Sequence, residues 1–172
     1  LEKFNASERV DFLAVATPGA GKTTFALAAA TQYLAATKGR RLVVVAPTQH
    51  LKTQWADAAA RFGLHLDPAW SAREGSLPGD VHGIVTTYQQ VATSSAELAR
   101  LAPGAFVVFD EVHHAGDDRA WGTAITAAFA DAGRRLSLSG TPFRSDVTPI
   151  PFVSYHLDEA QPDFEYGYGE AL

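Results

Sequence analysis

Five segments of the chain are apolar almost without interruption: Phe12–Ala16, Leu42–Ala46, Val81–Thr87, Ala105–Asp110 and Arg135–Ser139. Such runs fit strands covered on both faces of a sheet. Between them apolar positions recur at helical spacing. The Ala-rich stretch from Thr23 to Thr37 stops at Lys38-Gly39, a helix C-terminal signal. Thr48 can cap a helix whose apolar face is Leu51, Trp55, Ala58 and Phe62, closed by Gly63. Asp118 can cap another, with Trp121, Ile125 and Phe129 on one face and Gly133 beyond. A shorter helix, about Ser95 to Leu101, ends before Pro103-Gly104. Strands alternating with helices predict an α/β domain with a mainly parallel central sheet. The stretch Asp67 to Asp80 holds Pro68, Gly75, Pro78 and Gly79 and reads as irregular. From Thr148 onward the pattern lapses. Pro149, Pro151 and Pro162 break it, and Phe164-Glu165-Tyr166-Gly167-Tyr168-Gly169 has no clear period, so residues 149–172 read as an extended tail.

The chain's 172 residues suffice for one ordinary domain with a real core. No apolar run approaches the roughly 20 residues of a membrane-spanning helix. Leu1-Glu2-Lys3-Phe4 carries no signal-peptide pattern. The missing initiator Met points to a piece of a longer protein. With no cysteine, disulfides and thiolate metal sites are excluded. A cytoplasmic location is expected. The net charge of −5 argues against a domain that grips nucleic acid mainly by neutralising phosphates. It leaves room for contacts through backbone amides and hydroxyls.

Candidate chemistry starts at Ala16-Thr17-Pro18-Gly19-Ala20-Gly21-Lys22-Thr23, placed between a predicted strand and a predicted helix. Gly19 and Gly21 let backbone N–H groups turn inward around phosphates. The helix beginning near Lys22 aims its N-terminus at the anion. Lys22 supplies positive charge to the β- and γ-phosphates of ATP, and the Thr23 hydroxyl suits Mg²⁺. Thr24 follows within the same nucleotide-binding turn. The general G-x-x-x-x-G-K-[ST] pattern fails at its first position, where Ala16 stands.

Asp110-Glu111 follows an apolar strand, and ligands of open α/β sheets gather at the carboxyl ends of strands. Asp110 can hold the Mg²⁺ that Thr23 touches, and Glu111 can orient or deprotonate an attacking water. His113 and His114 lack a metal-ligand pattern. Ser137 and Ser139 lie in no nucleophile turn, which speaks against a serine hydrolase.

Together these residues resemble the first motor domain of superfamily 2 helicases, the DEAD/DEAH-box relatives. Ala16 to Thr23 fits that family's A-x-x-G-x-G-K-T motif at every fixed position. Asp110-Glu111-Val112-His113 looks like its D-E-x-H box, and Ser139-Gly140-Thr141-Pro142 resembles its S-A-T motif with Gly in the middle. Ala46-Pro47-Thr48-Gln49-His50-Leu51 and Val85-Thr86-Thr87-Tyr88 are similar to its strand-contacting motifs. The D-E-V-H-H and S-G-T-P-F-R stretches look closest to the helicase parts of restriction-type and DNA-repair enzymes.

The resemblance implies a three-layer RecA-like P-loop NTPase domain over residues 1–148, with 149–172 leading towards a second RecA-like domain. It implies ATP and Mg²⁺ as cofactors and nucleic acid, DNA before RNA, as partner. His113, Ser139 and Thr141 would couple hydrolysis to strand movement. Pro47, Thr48, Thr86 and Thr87 would touch one strand's phosphate backbone. Trp55 and Trp121 read as core rather than base-stacking platforms. Three departures stand out. Leu1 to Asp11 holds no Gln of the kind that reads adenine in this family. The second domain with its arginine finger is missing, and Arg144 is no obvious substitute. The tail leads towards that missing domain. Without that arginine the isolated piece is expected to be weak or inactive. The alternatives are a helicase-fold binding or interaction module without unwinding activity, and a small P-loop kinase. The intact Lys22, Asp110 and Glu111 weigh against the first, and the ordered later motifs against the second.

Overall fold

The computed structural model describes residues 1–144 and 149–166. Thr148, where the tail was expected to begin, and Gly167, Tyr168 and Gly169 within it lie outside the described residues. Among the described residues, nine strands and five α-helices follow in chain order. The strands are β1 (Asp11–Ala16), β2 (Leu42–Ala46), β3 (Leu66–Asp67), β4 (Gly83–Thr87), β5 (Phe106–Phe109), β6 (Arg134–Ser139), β7 (Tyr155–His156), β8 (Glu159–Ala160) and β9 (Phe164–Tyr166). The helices are α1 (Glu2–Ala6), α2 (Lys22–Ala36), α3 (Gln49–Ala60), α4 (Tyr88–Leu101) and α5 (Arg119–Phe129). Seven strands form one sheet in the order β3-β4-β2-β5-β6-β1-β9, and every pairing is parallel. β7 and β8 form a separate antiparallel hairpin.

Alternate residues of each strand feed two apolar layers, which is why the strands read as unbroken apolar runs. Phe12, Ala14, Leu42, Val44, Phe106, Val108, Leu136 and Leu138 pack with α1, α2 and α3. Leu13, Val15, Val43, Val45, Ile84, Val107 and Phe109 pack with α4, α5 and Ile150. A three-layer α/β sandwich results, with all carboxyl strand ends on one edge. Gly83 is required where β4 meets β2. A Cβ there would collide with the backbone of Leu42, so no larger residue fits without shifting a strand.

Sequence and structure differ at three places. α4 starts at Tyr88, seven residues before the helix expected at Ser95. Its two halves meet at Ser94, whose backbone leaves helical geometry (φ −132°, ψ 28°), and only the second half has the composition of a helix. The irregular stretch after Leu66 opens with the short edge strand β3. Finally, the described part of residues 149–172 returns to the sheet, which its broken pattern does not anticipate. Ile150 is buried, and the Arg135 guanidinium lies 3.9 Å over the Phe152 ring. Asp163 then fastens the chain to β1. Its N–H donates to the Leu13 carbonyl, and its carboxylate accepts from the Leu13 N–H, both at 2.8 Å. The same carboxylate meets Arg9 at 2.7 Å. β9 continues from there beside β1. Among the described residues no helix is long and apolar enough to cross a membrane.

Candidate active site at the carboxyl edge of the sheet

The loop between β1 and α2 turns on two glycines with positive φ, Gly19 at 82° and Gly21 at 86°. Gly21 is the residue before the first helical turn, and its carbonyl accepts the Phe25 N–H at 2.9 Å. No acidic side chain sits in that first turn. The positive end of the helix is therefore left for an external anion. Thr17 is half-buried, while Pro18, Ala20, Thr23 and Thr24 are exposed around the turn. Lys22 folds back so that its Nζ donates to the Ala16 carbonyl at 3.0 Å. Beside the loop lies a cleft of about 470 Å³, walled by Phe4, Phe25, Phe164 and Tyr166 among others. The loop is also tied to β9, because the Thr17 N–H donates to the Tyr166 carbonyl at 3.2 Å.

Asp110 and Glu111 stand where β5 ends, in the middle of the sheet. The Asp110 N–H still donates to the Val45 carbonyl of β2 at 2.9 Å, so its backbone is held as part of the sheet. Its carbonyl accepts the Tyr88 hydroxyl at 2.7 Å, and its Oδ2 accepts the Trp55 indole N–H at 2.9 Å. Burial pushes the Asp110 carboxyl above the ordinary carboxylate range, and the Trp55 hydrogen bond opposes that shift. Burial also holds the Tyr88 phenol well above its ordinary value, with Asp110 adding to the effect, so Tyr88 acts as a donor throughout the neutral range. Asp110 and Thr23 line one cleft of about 340 Å³.

Glu111 has a left-handed backbone (φ 44°, ψ 59°), a conformation that costs a non-glycine residue on the order of 1–3 kcal/mol. The surroundings hold it there. Its Oε1 is 3.8 Å from Lys22 Nζ, and its Oε2 accepts the Gly140 N–H at 3.2 Å. His113 Nδ1 lies 3.6 Å from the same carboxylate and 3.4 Å from the buried Ser139 hydroxyl. Ser139 in turn donates to the Thr141 carbonyl at 2.7 Å. The phosphate loop, the carboxylate pair and the turn after β6 are thus joined by direct contacts. His114 pairs with Asp117 at 2.9 Å, its ring 4.6 Å from that of His113.

The expected strand contacts divide. Thr48 is exposed, caps α3 by accepting the Leu51 N–H at 3.3 Å, and stands beside half-buried Pro47. Thr86 is 0% exposed and Thr87 4%. Neither residue presents an exposed side chain to a strand. Thr86 falls inside the sheet on β4, and the Thr87 hydroxyl is taken up as the cap of α4, accepting the Gln90 N–H at 3.1 Å. Trp55 is buried and Trp121 half-buried, stacked on Tyr88 with ring centroids 6.1 Å apart.

Sequence reasoning missed Trp55 and Tyr88 as partners of Asp110. A buried indole or phenol needs a hydrogen-bond partner, which is a usable signal, but only the packing of α3 and α4 shows which one. The donors near the loop suit Mg²⁺, a hard cation bound through one or two carboxylates plus substrate phosphates. A hydroxyl and a carboxylate share the cleft. Among the described residues no group of three or more His, Cys, Asp or Glu could form a protein cage for another metal.

The sequence profile of the family described as "Type III restriction enzyme, res subunit" matches residues 1–144. A Mycobacterium tuberculosis protein described as uncharacterized is 51% identical over 180 residues, which cover 100% of this chain and 30% of that protein. The chain spans about 30% of the length of the curated relatives it matches. Among solved structures, a nuclease-deletion mutant of the Type ISP restriction-modification enzyme LlaGI, in complex with a DNA substrate mimic, is similar with a TM-score of 0.69 at 18% identity. That likeness covers 99% of this chain and 19% of that chain. The Hef helicase domain of Pyrococcus furiosus is similar with a TM-score of 0.63 at 26% identity, over 80% of this chain and 31% of that chain. The chain belongs to the type III restriction enzyme res subunit family and is a RecA-like motor domain of the superfamily 2 helicase type.

Proposed function

We propose that this chain is the ATP-binding and ATP-hydrolysing first motor domain of a helicase or translocase that acts on DNA. A second RecA-like domain of the same parent protein would complete its active site, joined to 1–148 through 149–172, of which the described part packs on the sheet. The observation that carries the reading is the contact set of Glu111, which meets Lys22 of the phosphate loop and Gly140 of the turn after β6. A carboxylate in that position touches both the phosphate loop and the Ser139-Gly140-Thr141 motif.

In this reading Thr17 to Thr24 form the phosphate-binding turn, in which the backbone N–H groups from Gly19 onward and the Lys22 ammonium bind the phosphates. Thr23 and Asp110 would hold Mg²⁺, which when bound neutralises charge on the phosphates. Glu111 orients the attacking water and accepts its proton. His113, Ser139 and Thr141 form a hydrogen-bonded bridge from that base to the domain surface and transmit its state. Pro47 and Thr48 touch the strand, helped by the exposed N-terminus of α3. Arg144 pairs with Glu159 at 3.4 Å, and in this reading the arginine that stabilises the transferring phosphoryl group would come from the second domain. DNA is favoured over RNA by the likeness to a restriction enzyme whose structure holds a DNA substrate mimic. Nucleotide binding by the full-length protein tests the loop. Lys22→Ala is expected to weaken ATP binding at least about ten-fold, and unchanged binding would remove the loop from the site.

A further inference from the structure

Trp55 is the one buried aromatic side chain among the described residues whose recorded polar contact is with a carboxylate of the site. Its ring belongs to the apolar layer under α3, 3% exposed, yet its N–H leaves that layer and donates to Asp110 Oδ2 at 2.9 Å. It stands two helical turns after the cap residue Thr48, on the helix that packs over β2 and β4. The backbone of Asp110 is fixed separately, by the Val45 carbonyl and the Tyr88 hydroxyl. The side-chain torsion of Asp110 is then left to the groups on its carboxylate, the Trp55 indole N–H and the Glu111 backbone N–H, and the indole is the side-chain donor among them. The Trp55 donor on Oδ2 turns the carboxylate in a cleft that Asp110 shares with Thr23. Loss of a group that orients a metal-binding carboxylate in this way typically costs roughly ten- to a hundred-fold in metal affinity.

We propose that Trp55 is a positioning residue for the metal–nucleotide complex: its indole N–H sets the Asp110 carboxylate in the orientation that receives Mg²⁺, and so ties that carboxylate to the helix begun at Thr48. The proposal rests on the reading of Asp110 as a metal-holding residue. Packing alone predicts something different. If Trp55 were only core, its loss would loosen α3 and weaken nucleotide binding whether or not Mg²⁺ is present.

The test uses the full-length protein and a fluorescent ribose-labelled ATP, titrated in EDTA and at increasing MgCl₂. For Trp55→Phe, which keeps an aromatic ring and removes the donor, affinity in EDTA is expected to match wild type. The Mg²⁺ concentration that half-saturates the gain in affinity is expected to rise roughly ten-fold. An unchanged Mg²⁺ dependence, or an equal loss with and without Mg²⁺, overturns the proposal. If Trp55→Phe does not fold, benzothienylalanine introduced at position 55 keeps the bicyclic shape and removes only the N–H, and the same two outcomes decide. Asp110→Asn separates the proposal from the reading beneath it. Where Asp110→Asn shifts the Mg²⁺ dependence and Trp55→Phe does not, the positioning role alone fails. Where Asp110→Asn leaves it unchanged, Asp110 is no metal ligand and both fail.

Discussion

The backbone N–H of Gly140 donates to the Glu111 carboxylate at 3.2 Å, which joins the turn after β6 to the candidate catalytic base after β5. The bond is made by main chain, so it does not depend on the side chain at position 140. A Cβ placed there would meet Glu111 Oε1 at 3.4 Å and Lys22 Nζ at 3.6 Å, ordinary contact distances. Gly140→Ala is therefore expected to hydrolyse ATP within roughly two-fold of wild type. Steady-state ATPase of the full-length protein checks this. A loss above ten-fold would mean that the turn needs glycine for its backbone.

Tyr88 is expected to matter more than its distance from the phosphate loop suggests. Its hydroxyl is a donor to the Asp110 carbonyl inside the fold. Tyr88→Phe strands that carbonyl in a buried place, at a cost of about 1–3 kcal/mol. Thermal unfolding of the variant is expected several degrees below wild type, since about 1 kcal/mol corresponds to roughly 2–4 °C at this size. An unchanged midpoint would show that water or another donor replaces the phenol.

Asp110 gives a pH-dependent prediction. Its carboxyl is raised above 3.8 in the folded protein, chiefly by burial. A raised carboxyl favours the fold only where it is protonated, below the ordinary value, and that contribution is lost as pH rises through the folded value. At pH 7 the ionised side chain thus costs the nucleotide-free domain stability. Asp110→Asn keeps an acceptor for Trp55 and removes the charge, so it is expected to unfold at higher temperature than wild type at pH 7. The gap should close as pH falls through the raised carboxyl value towards 3.8. Adding Mg²⁺ and ATP should stabilise the wild type more than the variant. Calorimetric scans across pH, with and without Mg²⁺·ATP, measure both effects.

Much of the site was legible because its motifs carry their own local geometry. The loop from Ala16 to Thr23 needs two positive-φ glycines and a helix start, and Asp110-Glu111 needs only the end of an apolar strand. Both are patterns of neighbouring residues. The burial of Thr86 and Thr87 was not legible, because the side chains of a buried strand cannot be sorted from hydroxyl content alone. Thr86 sits one residue too early in β4 to reach the edge, and Thr87 spends its hydroxyl on capping α4. The α4 start was hidden by Tyr88, Val91, Thr93 and Ser94, which are weaker helix formers, and by the break in helical backbone at Ser94. β9 was hidden by its brevity. Three residues after Pro162 carry little signal, and it is the Asp163 clamp on Leu13 that makes them a strand. Trp55 was legible as core and illegible as a partner of Asp110, because that bond depends on where α3 lands across the sheet.

The central claim is that Glu111 activates water for ATP hydrolysis in a DNA-driven motor. The most direct measurement is ATP turnover by the full-length protein with and without DNA, for wild type and Glu111→Gln, with nucleotide binding measured alongside. The account predicts that DNA stimulates the wild type, that Glu111→Gln loses at least about a hundred-fold in turnover, and that the variant still binds ATP. Turnover by Glu111→Gln equal to wild type in the presence of DNA would contradict it.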